Sequence, residues 1–327
     1  MKNFTKILNQ LKTHMTNSSH DFEKNVFLVF NTACFGDVLL CNSLCQNIKF
    51  AFPNSKIVFI ADKLWGDIAN YQKDVDEVII YDKKGIHKGL KGLIKFVKDF
   101  PYKKANCAFI TYKNERNYLI AKLLQSKKVV VGKTLKNFSK PIKIQYSHVL
   151  LLKNISNVQV KNFPIKFNPP TCNLDKFNDI IGNSGKYIAL CTLTKNPIKD
   201  MPVRMAIDLI QNLTTKTDYK IILTGVGENA IEYAKDLKNA GCNFIDLVNK
   251  TSIIELANIL KKCDFLISVD TGTMHLGYSL GIKTHCVFLE QGTKEFWAPD
   301  EKIYPNVKIY QNPTVEELTR GVYNNEN

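Results

Sequence analysis

Arginine is nearly missing from this chain. Only Arg116, Arg204 and Arg320 stand among its 45 basic residues, which leaves 42 lysines. Nucleic-acid recognition leans on the forked guanidinium for base edges and phosphates, so this scarcity argues against a nucleic-acid partner. Long apolar runs are missing too. Val26–Phe30 and Val149–Leu152 fall far below the roughly 20 residues that a membrane helix needs. The N-terminus lacks a signal peptide's continuous apolar core followed by small residues, so a cytoplasmic location is expected. None of the nine cysteines forms a Cys-x-x-Cys pair, and the six histidines do not group with them at metal-ligand spacing. Reduced, buried thiols are expected, with no structural zinc.

What is present is a globular composition, 45% hydrophobic and 23% charged, in 327 residues. That length suits two domains. The net charge of +15 has two readings, a solvated lysine surface or attraction to an anionic partner such as a phosphorylated lipid or a membrane face.

Residues 1–24 place Phe4, Ile7, Leu8 and Leu11 at helical spacing among Lys2, Lys6 and Lys12. This basic amphipathic preface either packs on the protein or lies on a membrane surface. From residue 25 an alternation of short apolar strands and helices begins: strands at Val26–Phe30, Lys56–Ala61, Glu77–Tyr81, Asn106–Thr111 and Lys128–Val131, helices at Asp37–Phe52, Ile86–Phe100 and Arg116–Gln125. It breaks at Ile155–Thr171, around Pro164, Pro169 and Pro170, then restarts and runs to Leu289. The pattern predicts two α/β domains, 25–165 and 166–312, followed by a C-terminal helix and tail over 313–327. Each domain is a Rossmann-like parallel sheet covered on both faces, and the two face a cleft. Ligands of such sheets bind beyond the strands' carboxyl ends, so four loops carry the interest.

The first loop holds Gly36 and Asp37 at a helix start. There Asp37 is either a helix cap or a base able to take a proton from a substrate hydroxyl. In the second, Thr192, Thr194 and Lys199 offer hydroxyls and a cation suited to phosphate. The third, from Gly225 through Gly227 and Glu228 to Ala230, fits the dinucleotide pattern GxGxxA. Asp246 stands near the position of a ribose-binding acid, so an NAD-dependent oxidoreductase is a rival reading. The fourth, Asp270-Thr271-Gly272-Thr273-Met274-His275, opens a helix with small and hydroxyl residues, which makes an anion site of its free N–H groups. His275 there faces either core or ligand. Asp74-Val-Asp76 spells a metal–nucleotide DxD pair but precedes a strand, which reads as an exposed turn.

Together these loops resemble glycosyltransferase family nine, the ADP-heptose:lipopolysaccharide heptosyltransferases. The likeness is carried by Phe35-Gly-Asp-Val-Leu39 with Phe52-Pro53, Lys199-Asp-Met-Pro202, Thr224-Gly225 with Glu228, and Ser268-Val-Asp-Thr-Gly-Thr-Met-His-Leu276. It covers roughly residues 25–300. The chain departs from the family at Asn31, where a basic residue often stands, and at Met201, where tryptophan is usual. The resemblance implies a GT-B fold with an N-terminal acceptor domain, a C-terminal nucleotide-sugar domain, and often a final helix crossing back, here Val315–Val322. It implies inverting transfer with Asp37 as base, Gly36 on the acceptor side, and Lys199 with the N–H groups of Thr271, Gly272 and Thr273 on the departing diphosphate. Glu228 contacts the ribose, and Thr192, Thr194, Gly225, Asp270 and His275 line the donor site. The implied donor is an ADP-sugar with no metal or other cofactor. The implied acceptor is an anionic lipid-linked saccharide, met peripherally at the cytoplasmic face of the inner membrane. A non-catalytic nucleotide-sugar-binding relative is the other alternative.

Overall fold

A computed structural model describes residues 25–132, 141–155, 157–182 and 185–323. The amphipathic preface 1–24 lies outside them. The chain divides into two compact units between Ile165 and Lys166.

The first unit is a five-stranded sheet of β1 (Val26–Asn31), β2 (Lys56–Asp62), β3 (Glu77–Tyr81), β4 (Cys107–Ile110) and β5 (Lys128–Val131). All neighbours run parallel, in the order β3-β2-β1-β4-β5. The central β1 is buried along its whole length, which is why it reads as one continuous apolar run rather than an alternation. Helices α1 (Phe35–Leu40), α2 (Asn42–Ala51), α3 (Gly66–Asn70), α4 (Gly89–Asp99), α5 (Glu115–Leu123) and α6 (Ile144–Leu150) accompany it.

The second unit holds β6 (Tyr187–Cys191), β7 (Lys220–Thr224), β8 (Ile245–Asp246), β9 (Phe265–Val269), β10 (Lys283–Phe288) and β11 (Val307–Gln311). These are again all parallel, in the order β11-β10-β9-β6-β7-β8. Its helices are α7 (Val203–Lys216), α8 (Glu228–Asn239), α9 (Ile253–Leu260), α10 (Gly272–Ser279), α11 (Lys294–Trp297) and α12 (Val315–Tyr323).

Three expectations change. The single helix expected over 37–52 is two, because the Cys41 amide bonds back to Val38 O at 3.2 Å and tightens the turn. The proline-bearing stretch after 155, expected only as a break in the alternation, is tied to α2. Asn47, Ser43 and Gln46 of α2 bond the backbone of Lys161, Phe163 and Pro164 at 2.7–3.0 Å, which buries a helix face that reads as polar. The final helix, expected to cross back, packs within the second unit. Leu318 and Val322 of α12 join the second unit's apolar core, where α12 packs on α7. Burying those two side chains there stabilises the helix more than any solvated position could.

Among the described residues no helix is long and apolar enough to cross a membrane.

Candidate active site

In each sheet the strand order reverses beside the first strand. The chain moves outward one way from β1 or β6, then returns on the other side with β4 or β9. The crevice at such a switch point is where open parallel sheets bind ligands.

In the first unit the loop leaving β1 turns into α1. Asp37 is the third residue of that helix, and its carboxyl accepts from the backbone N–H of Cys34, the helix cap. This is the reciprocal half of a capping box. A helix start should hold the carboxylate pKa low. Burial wins instead and raises it from 3.8 to about 6. Beneath it lies a buried polar network that no motif announced. Asn31 Nδ2 is 3.0 Å from Thr111 Oγ1, 3.1 Å from Cys41 Sγ and 3.2 Å from the Asp37 carbonyl oxygen, while its Oδ1 accepts from the Ala33 amide at 3.0 Å. Cys41 Sγ also lies 3.8 Å from Nδ1 of buried His148. Asn31 therefore ties α1 to the sheet floor where a cation had been the family expectation. Gly36 is buried beside it.

In the second unit the crevice lies between β6 and β9. Lys199, ending a short 3-10 turn (Pro197–Lys199) after β6, places Nζ 2.6 Å from Asp270 Oδ2 at the end of β9. Both side chains are largely buried. Burial raises the pKa of Asp270, the Lys199 charge opposes that rise, and Glu290 from the loop after β10 adds to it. Glu290 Oε2 is buried with no hydrogen-bond partner among the described residues. Sequence reasoning missed Glu290, since nothing around it repeats a recognisable pattern. Thr271 caps α10 through its backbone, and its side chain makes no cap bond. Gly272 and Thr273 form the first turn. The first N–H groups of a helix have no partner within it, so this end of α10 and the Lys199 ammonium put positive charge at one place.

The remaining candidates divide. Thr192 is buried, and its carbonyl accepts from the Met201 amide at 2.8 Å. The Thr194 hydroxyl is spent in its own turn, donating to Asn196 O at 2.7 Å. His275 is a core residue, not one presented to solvent. Its Nδ1 is 2.7 Å from Tyr278 Oη, and burial first, then the Lys199 charge, lowers its pKa to about 3. It is a neutral ring behind the ion pair.

Gly225 and Glu228 lie at the end of β7, one strand away from the crevice. That position undoes the dinucleotide reading, whose glycine turn must follow the first strand of the order. The Gly227 N–H, which would have to meet a pyrophosphate, already donates to Asn249 Oδ1 at 2.8 Å. Asp246, the supposed ribose ligand, is paired with Lys238 at 2.6 Å. Asp76 of the DxD stretch likewise has a structural task, binding the Ile57 amide at 2.6 Å and Lys49 at 2.7 Å.

A family model described as glycosyltransferase family 9 (heptosyltransferase) matches residues 138–320. By sequence, no curated protein matches. Among solved structures, a family 9 glycosyl transferase from Veillonella parvula is 18% identical, with a TM-score of 0.78 over 95% of this chain and 93% of that one. The E. coli ADP-heptose lps heptosyltransferase II is 12% identical, with a TM-score of 0.72 over 91% and 97%. The E. coli heptosyltransferase WaaC with ADP is 17% identical, with a TM-score of 0.69 over 92% and 99%. These likenesses show the fold: two parallel-sheet α/β domains of the GT-B kind.

Proposed function

The chain belongs to glycosyltransferase family 9, and from that premise we propose that it moves a heptose, or a related sugar, from an ADP-sugar to the inner core of a lipopolysaccharide or lipooligosaccharide. The observation that carries this reading is the Lys199–Asp270 pair at the mouth of α10 in the β6–β9 crevice. A cation beside a helix N-terminus suits a diphosphate. The E. coli relative solved with ADP supports adenosine diphosphate as the nucleotide part.

The chemistry is a single displacement that inverts the anomeric carbon. The acceptor hydroxyl oxygen forms the new bond to that carbon, its proton passes to the Asp37 carboxylate, and the bond to the diphosphate oxygen breaks with its electron pair. A carboxylate with a pKa of about 6 is mostly ionised at neutral pH, yet is a stronger base than an ordinary aspartate. Negative charge growing on the diphosphate is met by Lys199 and the N–H groups of Thr271, Gly272 and Thr273. Glu228 serves the ribose from the end of β7. On this reading the fixed positive groups take the part of a divalent cation, and transfer should persist in EDTA. The site of action is the cytoplasmic face of the inner membrane, where a lipid-linked acceptor is made.

The test is release of ADP from ADP-heptose in the presence of a heptose-deficient lipid-linked core. Turnover that disappears in Asp37→Asn, with ADP binding kept, is the expected result. Binding of ADP without transfer to any core acceptor would make the chain a binding-only relative.

A further inference from the structure

The loop after β3 and the helix that follows it form a surface that the transfer site does not use. Ile86 is 67% exposed and Leu90 50%, and Leu64, after β2, is 66% exposed. Their exposure is built in rather than slack. The Asp82 amide donates to His87 Nδ1 at 3.0 Å, the His87 amide to Asp82 O at 3.0 Å, and the Gly85 amide to Asp82 Oδ1 at 2.9 Å. Arg116 Nη2 donates to the carbonyls of His87 at 2.8 Å and Gly89 at 2.7 Å. His87 is buried and stacks on Tyr81, with ring centroids 5.5 Å apart. A Cβ on Gly92 would fall 2.2 Å from the His87 carbonyl carbon, so α4 is seated hard against the loop. Leu93, Phe96 and Val97 anchor α4 in the core, while Ile86 and Leu90 are held out in solvent.

The charge along this segment is mainly positive, with Asp82 and Asp99 at its two ends. From Lys83 to Lys98 there are six lysines and no acidic residue. Lys83 pairs with Asp62 and Lys95 with Asp99, while Lys84, Lys88 and Lys91 are exposed and take part in no ion pair among the described residues. The surface also adjoins the Asp37 loop, since Lys83 Nζ donates to Thr32 O at 2.6 Å and the Trp65 ring lies 5.5 Å from that of Phe35.

We propose that the surface bearing Ile86, Leu90, Lys84, Lys88 and Lys91 docks this protein on an anionic lipid bilayer. Exposed apolar side chains together with unpaired lysines on one short segment are what binding at a lipid interface requires. A second copy of the chain would oppose lysine to lysine. A nucleic acid would find no free guanidinium, because Arg116 is engaged in bracing the loop. The proposal rests on the reading that the acceptor is lipid-linked, and it brings that acceptor to the unit that holds Asp37.

The test is co-sedimentation of the full chain with phosphatidylcholine vesicles, with and without phosphatidylglycerol, read without donor or acceptor. Wild type should bind only the anionic vesicles, less so as salt rises. Ile86→Asp with Leu90→Asp should weaken binding by on the order of tenfold or more, with an unchanged Tm. Replacing Lys84, Lys88 and Lys91 by glutamate should do the same. Vesicle binding that both variants retain in full, or no binding by wild type, overturns the proposal, as does an RNA oligonucleotide that binds these lysines when vesicles do not. Transfer to a delipidated core separates the two readings. Transfer without vesicle binding sinks only the docking surface, and vesicle binding without transfer sinks only the proposed function.

Discussion

Each unit places an aspartate at its switch-point crevice, Asp37 after the first strand, β1, and Asp270 after the fourth, β9, and the two are surrounded oppositely. Asp37, by the β1–β4 crevice, has a neutral floor of Asn31, Thr111, Cys41 and His148, with no cation in that network among the described residues. Asp270, beside β6, has a lysine at 2.6 Å. Burial raises both pKa values, but at Asp270 the ammonium pulls the other way. One sheet order thus sets a carboxyl above a neutral floor in one unit and a carboxyl against a cation in the other. Among the described residues the difference lies in the Lys199 ammonium, since a cation beside a carboxyl favours its ionised form.

The largest effect that would break this contrast is on turnover. Asp37→Asn is expected to lower transfer by about three orders of magnitude, with ADP affinity unchanged in a thermal-shift titration. Turnover within a few-fold of wild type would remove Asp37 from its role as base. Next comes Lys199→Met, which should lower transfer by about 10²-fold and abolish the ADP thermal shift. It also leaves Asp270 buried without its cation. The variant should lose roughly 3 kcal/mol of stability at pH 8, and less at pH 5, where the carboxyl can protonate.

The pH dependence sharpens the comparison with a defined sign. Folding raises the Asp37 pKa from 3.8 to about 6, so the folded state favours the neutral acid. The stability this confers is present below pH 4 and is lost as pH rises through 6. Asp37→Asn should therefore be more stable than wild type at pH 8, by at most about 3 kcal/mol, and no more stable at pH 4. Wild-type transfer should fall on the acid side of pH 6. Equal urea midpoints for the two proteins at pH 8 would show that the carboxyl is not held out of water.

The smallest effect concerns the glycine turn after β7. Gly227 has φ +107°, so Gly227→Val should cost about 1 kcal/mol from backbone strain alone. ADP should still raise the Tm of that variant, and NAD should raise the Tm of neither protein. An NAD-dependent shift lost in Gly227→Val would restore the dinucleotide reading.

Much of this was legible in one dimension. Strands Glu77–Tyr81 and Lys128–Val131 match their expected limits although they are half-exposed sheet edges, because each is a short run of β-branched and apolar residues bounded by polar ones. Asp37, Lys199 and Asp270 were legible as well, since each sits where a strand gives way to a helix. Val307–Gln311 was missed as a sixth strand because its lysine interrupts the apolar run at a sheet edge. His148 and Glu290 left no signal, and Asn31 only a departure from the family pattern, because each matters through partners distant in sequence.

What the sequence determined by itself is local: the period of each element, the turn chemistry, and the residue types at the strand ends. Which of those ends share a crevice was decided only by the order of strands in the sheet. That order set the GxGxxA stretch one strand aside, paired Lys199 with Asp270 across 71 residues, and folded the last helix onto its own unit. Burial followed from the same assembly. A carboxylate's pKa depends on the water and charges around it, and those are known only once distant segments have met.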